Sequence, residues 1–281
     1  MASFLAAFFG GDICGTVMGG MLADRIGYSH VFTVSAVVAF FALLCCWFIF
    51  KNDPRMPRTW KKRPDAKNRF MLKDAFHVLK DIEFTATVFL QAIPAKMTLI
   101  GFLYYFIPLY LKQLGTLQSD IGRVIMCYGV ALVFLGPFFS KYFDKVYLRK
   151  YYIAAGGLLT GISMACFNYY PGFASALGLV VILGFAHTIS TSSQTTVISE
   201  TSVIKELGAG AGLGLFRFWE RLGNISGPLL MGFLMAKYSY EQAVVILGMI
   251  SIVCSVLYTV FTIVYQHKKR STISASKADT S

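Results

Sequence analysis

Long apolar runs dominate this chain and alternate with shorter polar connections. Three of the runs, at 31–50, 174–186 and 243–265, contain no aspartate, glutamate, lysine or arginine. An α-helix of about 20 apolar residues crosses a hydrocarbon core of about 30 Å. The pattern therefore predicts an all-α integral membrane protein. Its spans are expected at about 1–23, 30–50, 84–111, 119–140, 149–169, 173–197, 209–236 and 242–265.

The composition agrees with a membrane protein. Of the 281 residues, 56% are hydrophobic and 14% are charged, whereas a soluble domain has about 25% charged residues. The first span is not expected to be a signal peptide, because it has no basic start and no clear small-residue cleavage site. The six cysteines lack metal-ligand spacing and are expected to be buried hydrophobic residues.

The sequence offers little support for an enzyme. No Ser/His/Asp set, zinc-binding pattern or pair of carboxylates stands out in it. Glycines alternate from Gly208 to Gly214 as in a phosphate-binding loop, but no strand is expected before them. We therefore expect no catalytic residues, no metal site and no cofactor.

Basic residues distinguish the two sides of the membrane. Ten lysines and arginines lie between positions 51 and 80, and the other loops expected on that side are also basic. The positive-inside rule places these loops and both termini in the cytoplasm, with the spans in the plasma membrane. Because this distribution accounts for the net charge of +12, we expect no nucleic-acid partner.

The basic loop divides the chain into unequal parts. Two spans precede it in residues 1–50 and six follow it in residues 84–266. Within the loop, 51–83, the proline-containing first part is expected to be a flexible linker. Arg69–Lys80 is predicted to form an amphipathic helix on the inner leaflet, in contact with lipids. The tail, 267–281, is rich in serine and threonine and is expected to be disordered.

Polar side chains lie near mid-depth in spans one, three, six and seven. A charge there costs about 2.5–3.5 kcal/mol on insertion scales, so each one requires an explanation. Two explanations stay open: contact with a solute in an aqueous cavity, or a structural network between helices. The candidate substrate-binding or coupling residues are Lys96, Arg221, Glu220, Asn224, Arg217, His187, Gln91, Gln194 and Asp12.

Span seven is the most informative of these. Arg217 and Glu220 are three residues apart, and Glu220 and Asn224 are four apart, so both pairs are neighbours on a helix. One glutamate cannot neutralise Arg217, Arg221 and also Lys96. The excess positive charge favours an anionic or carboxylate-bearing ligand. His187 serves either as an interhelical hydrogen-bonding group or as a proton relay.

Two stretches of the chain repeat each other. Gly11–Gly20, GDICGTVMGG, aligns with Gly223–Gly232, GNISGPLLMG, and the similarity continues beyond both. Gly223 and Gly227, four residues apart, are also expected to bring span seven close to a neighbouring helix. An internal repeat in a membrane chain indicates a transporter built from duplicated bundles.

These residues resemble the major facilitator superfamily of secondary transporters. Residues 15–27 resemble the end of that family's fifth helix and the turn into the sixth, and 223–232 resemble its eleventh helix. Ser140–Lys150 resembles the loop between helices eight and nine, with Ser140 and Tyr147 in place of its glycines. By this resemblance the gating or helix-packing residues are Gly15, Gly20, Asp24, Arg25, Asp144, Lys145, Arg149, Gly227 and Pro228.

One stretch fits the family in two ways. Residues 20–27 match the pattern G-x-L-A-D-R-x-G, which in its strictest form lies in the cytoplasm between helices two and three. That placement would put the ten-cation loop outside the cell. The charge distribution therefore favours the fifth-helix assignment. It makes the chain the last two helices of the first bundle and the complete six-helix second bundle, without helices one to four.

The resemblance implies secondary active transport of a small organic solute by alternating access between the two bundles. The excess positive charge favours an anionic solute, and coupling to a proton or another ion stays open. Two alternatives remain: a membrane sensor or receptor, and a shortened chain that is inactive without a missing N-terminal portion. The expected partners are accordingly a small-molecule substrate, membrane lipids and that N-terminal portion.

Overall fold

A computed structural model describes residues 2–51, 76–142 and 148–278 of the chain. Within these ranges the chain is helical, with short turns and no β-strand. The all-α fold is thereby confirmed for the part described. The helices are α1 (Ala2–Lys51), α2 (Ile82–Gln113), α3 (Gln118–Tyr142), α4 (Arg149–Ala165), α5 (Phe173–Glu200), α6 (Ser202–Leu207), α7 (Ala209–Lys237) and α8 (Tyr240–Ala278).

The helices follow the apolar pattern of the sequence. Gly27 separates α1 into two helices, which correspond to the first two expected spans; its φ of 77° and ψ of 161° are non-helical and favour glycine. The other expected spans lie in α2 to α5, α7 and α8. Four stretches of the described residues are long and apolar enough to cross a membrane: Cys14–Phe48, Ile82–Gln113, Phe173–Glu200 and Tyr240–His267.

Aromatic side chains form the core at one end of the bundle formed by α2 to α8. On α2 the ring of Phe106 stacks on Phe102 and Tyr110, with centroid distances of 5.5 and 5.2 Å. Phe167, after α4, and Tyr240, at the start of α8, each lie 6.1 Å from the same ring. These contacts fix the ends of three helices around one side chain, because each ring buries a large apolar area.

A second cluster closes the opposite end of the bundle. Val78, Phe84 and Val88, in and before α2, pack with Ile198 of α5 and Phe216 of α7, and all five are buried. Val78 is therefore part of the bundle core. Of the expected amphipathic helix Arg69–Lys80, residues 69–75 lie outside the described residues, as does the linker before them. Residues 76 and 77 are helical, and the 3₁₀ segment Val78–Lys80 follows them.

Helix α1 packs mainly on α3, through residues before the Gly27 break. Beyond the break, most of its large apolar side chains are exposed; Phe32 is 74% exposed and Trp47 is 64% exposed. An exposed apolar surface of this length is unfavourable in water and suits lipid or neighbouring apolar helices.

Helix α8 continues past the expected end of the last span. It extends to Ala278, and neither glycine nor proline follows Gly248 in this helix to end it. The domain boundary expected at 266 and the disorder expected for residues 267–281 stay predictions.

Candidate functional site

Glycines bring α2 and α7 into backbone contact at the middle of both helices. A Cβ atom added at Gly223 would lie 2.5 Å from the carbonyl oxygen of Ile93 and 2.6 Å from Cβ of Lys96. One added at Gly227 would lie 2.8 Å from the carbonyl oxygen of Met97, and Gly101 faces Gly227 equally closely. Small residues at a crossing allow this approach. The crossing places Lys96 beside α7.

Lys96, Arg217 and Glu220 form a charged triad at this crossing. Nζ of Lys96 lies 3.3 Å from Oε1 of Glu220, and Nη1 of Arg217 donates a hydrogen bond of 2.6 Å to Oε2. Each carboxylate oxygen thus faces a different cation. The Glu220 side chain is only 5% exposed, whereas Lys96 is 25% and Arg217 is 50% exposed.

The charges of the triad do not cancel. Two cations and one carboxylate leave one positive charge, and Arg217 is the most exposed of the three. Removing the carboxylate from such a cluster leaves cations without a counter-charge in a low-dielectric setting, which is strongly unfavourable. Glu220 is therefore the anion that allows Lys96 and Arg217 to lie close together at this crossing. The remaining positive charge is available to an anionic group that approaches Arg217.

Arg221 and Asn224 lie near the triad but outside it. Arg221 is exposed on α7, one turn after Arg217, and forms no ion pair with the residues that the structure describes. Asn224 is half-buried, and its Oδ1 atom is buried without a hydrogen-bond partner among those residues. The neighbour expected for Asn224 from its spacing, Glu220, instead bonds to Lys96 and Arg217.

His187 links three helices through neutral hydrogen bonds. From α5, its Nδ1 atom lies 3.1 Å from the Tyr128 hydroxyl on α3, and Nε2 lies 3.4 Å from the Thr98 hydroxyl on α2. Because the Thr98 hydroxyl donates to the carbonyl of Ala95 at 2.9 Å, its oxygen accepts from Nε2–H. Nδ1 then accepts from Tyr128. The contacts are those of an interhelical hydrogen-bonding group, the first of the two roles left open by the sequence.

The remaining polar candidates are separate from the charged triad. Nε2 of Gln194 donates to the Ser190 hydroxyl at 2.8 Å, within α5. Gln91 is buried, and its Nε2 atom has no hydrogen-bond partner in the described part of the chain. Asp12 lies on α1, but its side chain is outside what the structure describes.

A small polar cavity lies between α2, α4, α5 and α8. Its volume is about 10 Å³, the space of one water molecule. Most of its lining could not be predicted from the sequence, because single serines and threonines are common in apolar helices, where they bond to their own backbone. The cavity is lined by Gln91, Pro94, Ala95, Thr98, Gly157, Thr160, His187, Ser190, Ser251 and Ser255.

The motif residues of α1 meet the start of α3. A Cβ atom added at Gly20 would lie 2.5 Å from the carbonyl oxygen of Gln118. The Asp24 carboxylate accepts hydrogen bonds from the backbone amides of Gln118 and Ser119, at 3.0 and 2.7 Å. It therefore caps the first turn of α3 from another helix, where a negative charge is favourable. Among the residues that the structure describes, none has an atom near enough to touch a Cβ added at Gly15, and Arg25 is exposed.

Ion pairs connect the helix ends opposite the aromatic cluster. Nη1 of Arg149, at the start of α4, lies 2.7 Å from Oε1 of Glu200, at the end of α5. The next residue, Lys150, pairs with Glu83 of α2 at 2.5 Å. Asp144 and Lys145, expected in the same motif, lie outside the described residues. Pro228 lies within α7, directly after the Gly227 contact.

Comparison with known proteins agrees with this architecture. The family model of the major facilitator superfamily matches residues 1–216 and 119–280. The chain is 23% identical over 256 residues to a multi-drug resistance efflux pump PmrA homolog of Lactococcus lactis, covering 87% of this chain and 59% of that protein. It is 24% identical over 257 residues to the cis,cis-muconate transport protein of Acinetobacter baylyi, covering 89% and 60%.

A third relative is similar to the same degree. The chain is 24% identical over 238 residues to the multidrug resistance protein MdtG of Escherichia coli, covering 82% of this chain and 55% of that protein. The chain thus spans between 55% and 60% of the length of these relatives. Since the two matches to the family model together extend over almost all of its residues, the chain belongs to the major facilitator superfamily.

Proposed function

We propose that this protein carries out secondary active transport of a small organic anion by alternating access, and that the charged triad contacts the anionic group of the solute. Family membership supports membrane transport. The relatives differ in what they are named for, multidrug efflux or cis,cis-muconate transport, so their names do not select a substrate. The choice of an anion rests on the residues of this chain.

One observation carries the proposal: Glu220 is shared between Lys96 and Arg217, which leaves one positive charge at the crossing of α2 and α7. An approaching carboxylate would be attracted by that charge and would compete with Glu220 for the exposed guanidinium of Arg217. An arginine can bind a carboxylate through two parallel hydrogen bonds, which gives direction as well as affinity. Arg221, exposed one turn away, would add to the attraction.

The proposed domain organisation follows the basic loop. Residues 1–50 would belong to the N-terminal bundle and 84–266 to the C-terminal bundle, and rocking of one against the other would move the solute. The contact of α1 with α3, with Gly20 and Asp24 in it, would then lie between the two bundles and act as a gate. Both termini and the basic loop would lie in the cytoplasm, below the plasma membrane.

Counterflow in proteoliposomes tests the proposal. Vesicles containing the purified chain are loaded with unlabelled cis,cis-muconate as a probe carboxylate, and entry of the labelled compound is measured. Ethidium, an organic cation, serves as the comparison solute. We expect counterflow of muconate and its loss in Lys96→Ala. Counterflow of ethidium but not muconate would contradict the choice of an anion, and binding of muconate without any flux would favour a receptor.

A further inference from the structure

The polar cavity between α2, α4, α5 and α8 is lined by no residue of the charged triad and has no part in the proposed function. We propose that it is a binding site for a single water molecule, held by Gln91 and Thr160. The water would complete hydrogen bonds that these two side chains do not make with protein. The size of the cavity, its polar lining and the two unpaired atoms support such a site.

The cavity has the size and chemistry of a water site. Its volume of about 10 Å³ is close to the smallest that holds one water molecule. Most of the side chains that line it carry a hydroxyl, an amide or an imidazole, and none of them is a carboxylate, lysine or arginine. Empty cavities in proteins are lined by apolar groups, whereas polar ones of sufficient size hold water.

Two buried polar atoms in this lining lack partners. Nε2 of Gln91 and Oγ1 of Thr160 make no hydrogen bond with the described residues, although the two residues are only 3% and 1% exposed. An unpaired polar atom this deeply buried loses its hydration without replacement, which is unfavourable. One water can accept from the Gln91 amide and bond to the Thr160 hydroxyl at the same time.

Position 157 creates the space. A Cβ atom added at Gly157 would overlap the Ser255 hydroxyl and would lie 2.9 Å from Oε1 of Gln91. Any other residue at this position would therefore fill the cavity or displace its lining. Because Gly157 faces polar side chains and has no side chain of its own, it leaves space for a small polar molecule.

The helix α2 is irregular where it borders the cavity. Gln91 lies in the π-helical segment Val88–Ala92 and Thr98 begins a second one, Thr98–Phe106. Pro94 lies between them and lines the cavity. Such π segments are frequent at functional sites.

A water at this place affects how α2 is held. It would connect α2 to α4 and α8 through hydrogen bonds that can break and re-form, whereas direct side-chain packing would hold the helices in one position. Because α2 also carries Lys96, on a side that faces α7, the site would let the helix shift against α4 and α8 without leaving buried polar atoms unpaired.

The sign of a stability change tests the proposal. Thr160→Val removes the hydroxyl and keeps the shape, and Gln91→Met removes the amide. If a water is bound, each variant loses a hydrogen bond and Tm falls by about 2–6 °C. The double variant then loses less than the sum, because both side chains bond to the same water. If the cavity is dry, both substitutions remove an unpaired polar atom, and Tm rises.

Thr262→Val provides the matched control. The Thr262 hydroxyl is equally buried and lies beside the Tyr258 hydroxyl, but it does not line the cavity. We expect the effects of Thr262→Val and Gln91→Met on stability to add, whereas those of Thr160→Val and Gln91→Met do not. An unchanged or raised Tm for Thr160→Val, or additive losses in the double variant, would overturn the proposal. So would a structure of the whole chain that resolves bound waters and shows the cavity empty.

Discussion

Lys96 and Glu220 pair across the crossing of α2 and α7, with Nζ of one 3.3 Å from Oε1 of the other. The pair exists because glycines at 101, 223 and 227 let the two backbones touch there. The second carboxylate oxygen bonds to Arg217, so a single buried glutamate is shared by two cations and one positive charge remains. Local packing by glycine thus determines the electrostatics of the site, and several consequences can be measured.

The first measurable consequence is the effect of Glu220 on stability. Glu220→Gln leaves Lys96 and Arg217 without a counter-charge, and we expect a loss of about 1–3 kcal/mol in the free energy of unfolding. This is less than the 3–5 kcal/mol of a fully buried pair, because both cations are partly exposed. Thermal unfolding in detergent micelles measures it. Asp120→Asn, in the exposed pair with Arg123, is the control and should lose less than about 1 kcal/mol.

The second concerns the helix crossing. In Gly227→Ala the new Cβ would lie 2.8 Å from a backbone carbonyl of α2, which cannot rotate away, so the helices must separate. We expect a loss of about 1–3 kcal/mol and a lower Tm. The control is Gly214→Ala, also on α7, where an added Cβ has open space. It is expected to gain up to about 1 kcal/mol from helix propensity. Equal effects of the two would contradict the close crossing.

The third concerns the contact between Asp24 and α3. Asp24→Ala removes both acceptors for the amides of Gln118 and Ser119. Without the cap, the first turn of α3 should open more often. Hydrogen–deuterium exchange of a peptide covering 116–122 should therefore become faster. Arg25→Ala, at the neighbouring exposed position, is the control and should leave exchange unchanged. Protection that survives Asp24→Ala would show that other contacts hold this turn.

The fourth concerns His187. Its two nitrogens bond to hydroxyls of Thr98 and Tyr128, so His187→Leu leaves both without that partner and should destabilise the protein by about 1–3 kcal/mol. Tyr128→Phe should lose about 1 kcal/mol. In a double-mutant cycle the two should couple by about 0.5–1.5 kcal/mol. Additive losses would mean that the Tyr128 contact contributes nothing to stability.

The sequence was sufficient to predict the helices and the charged side chains of the site. It was insufficient to predict which residues those side chains contact. Apolar runs such as 31–50 and 243–265 determine where helices form, because nothing else crosses a bilayer at that length. Arg217 and Glu220 are near each other on any helix. That Lys96 joins them depends on α2 crossing α7 at Gly101, a residue with no distinguishing feature in the sequence. Contacts between distant segments have no local signal.

The same limit applies to the cavity and to Asp24. Spans five and eight carry no charged residue near their middle, yet Thr160, Ser251 and Ser255 on them line a polar cavity. For a single hydroxyl in an apolar helix, the sequence does not show whether the side chain points into the protein or towards lipid. Asp24 bonds to amides 94 and 95 residues away. A motif marked it as a gating residue, but only the fold identifies the helix that it caps.

The triad is proposed to bind an anion through its excess positive charge. Isothermal titration calorimetry of the purified chain in nanodiscs, with cis,cis-muconate as the probe, measures this binding. We expect Kd to rise about 10- to 100-fold in Lys96→Gln and Arg217→Gln, the loss of one charge-assisted hydrogen bond. Glu220→Gln, which removes the competing carboxylate, should bind at least as tightly as the unchanged protein. Equal affinity in all four forms, or tighter binding of ethidium than of muconate, would contradict the account.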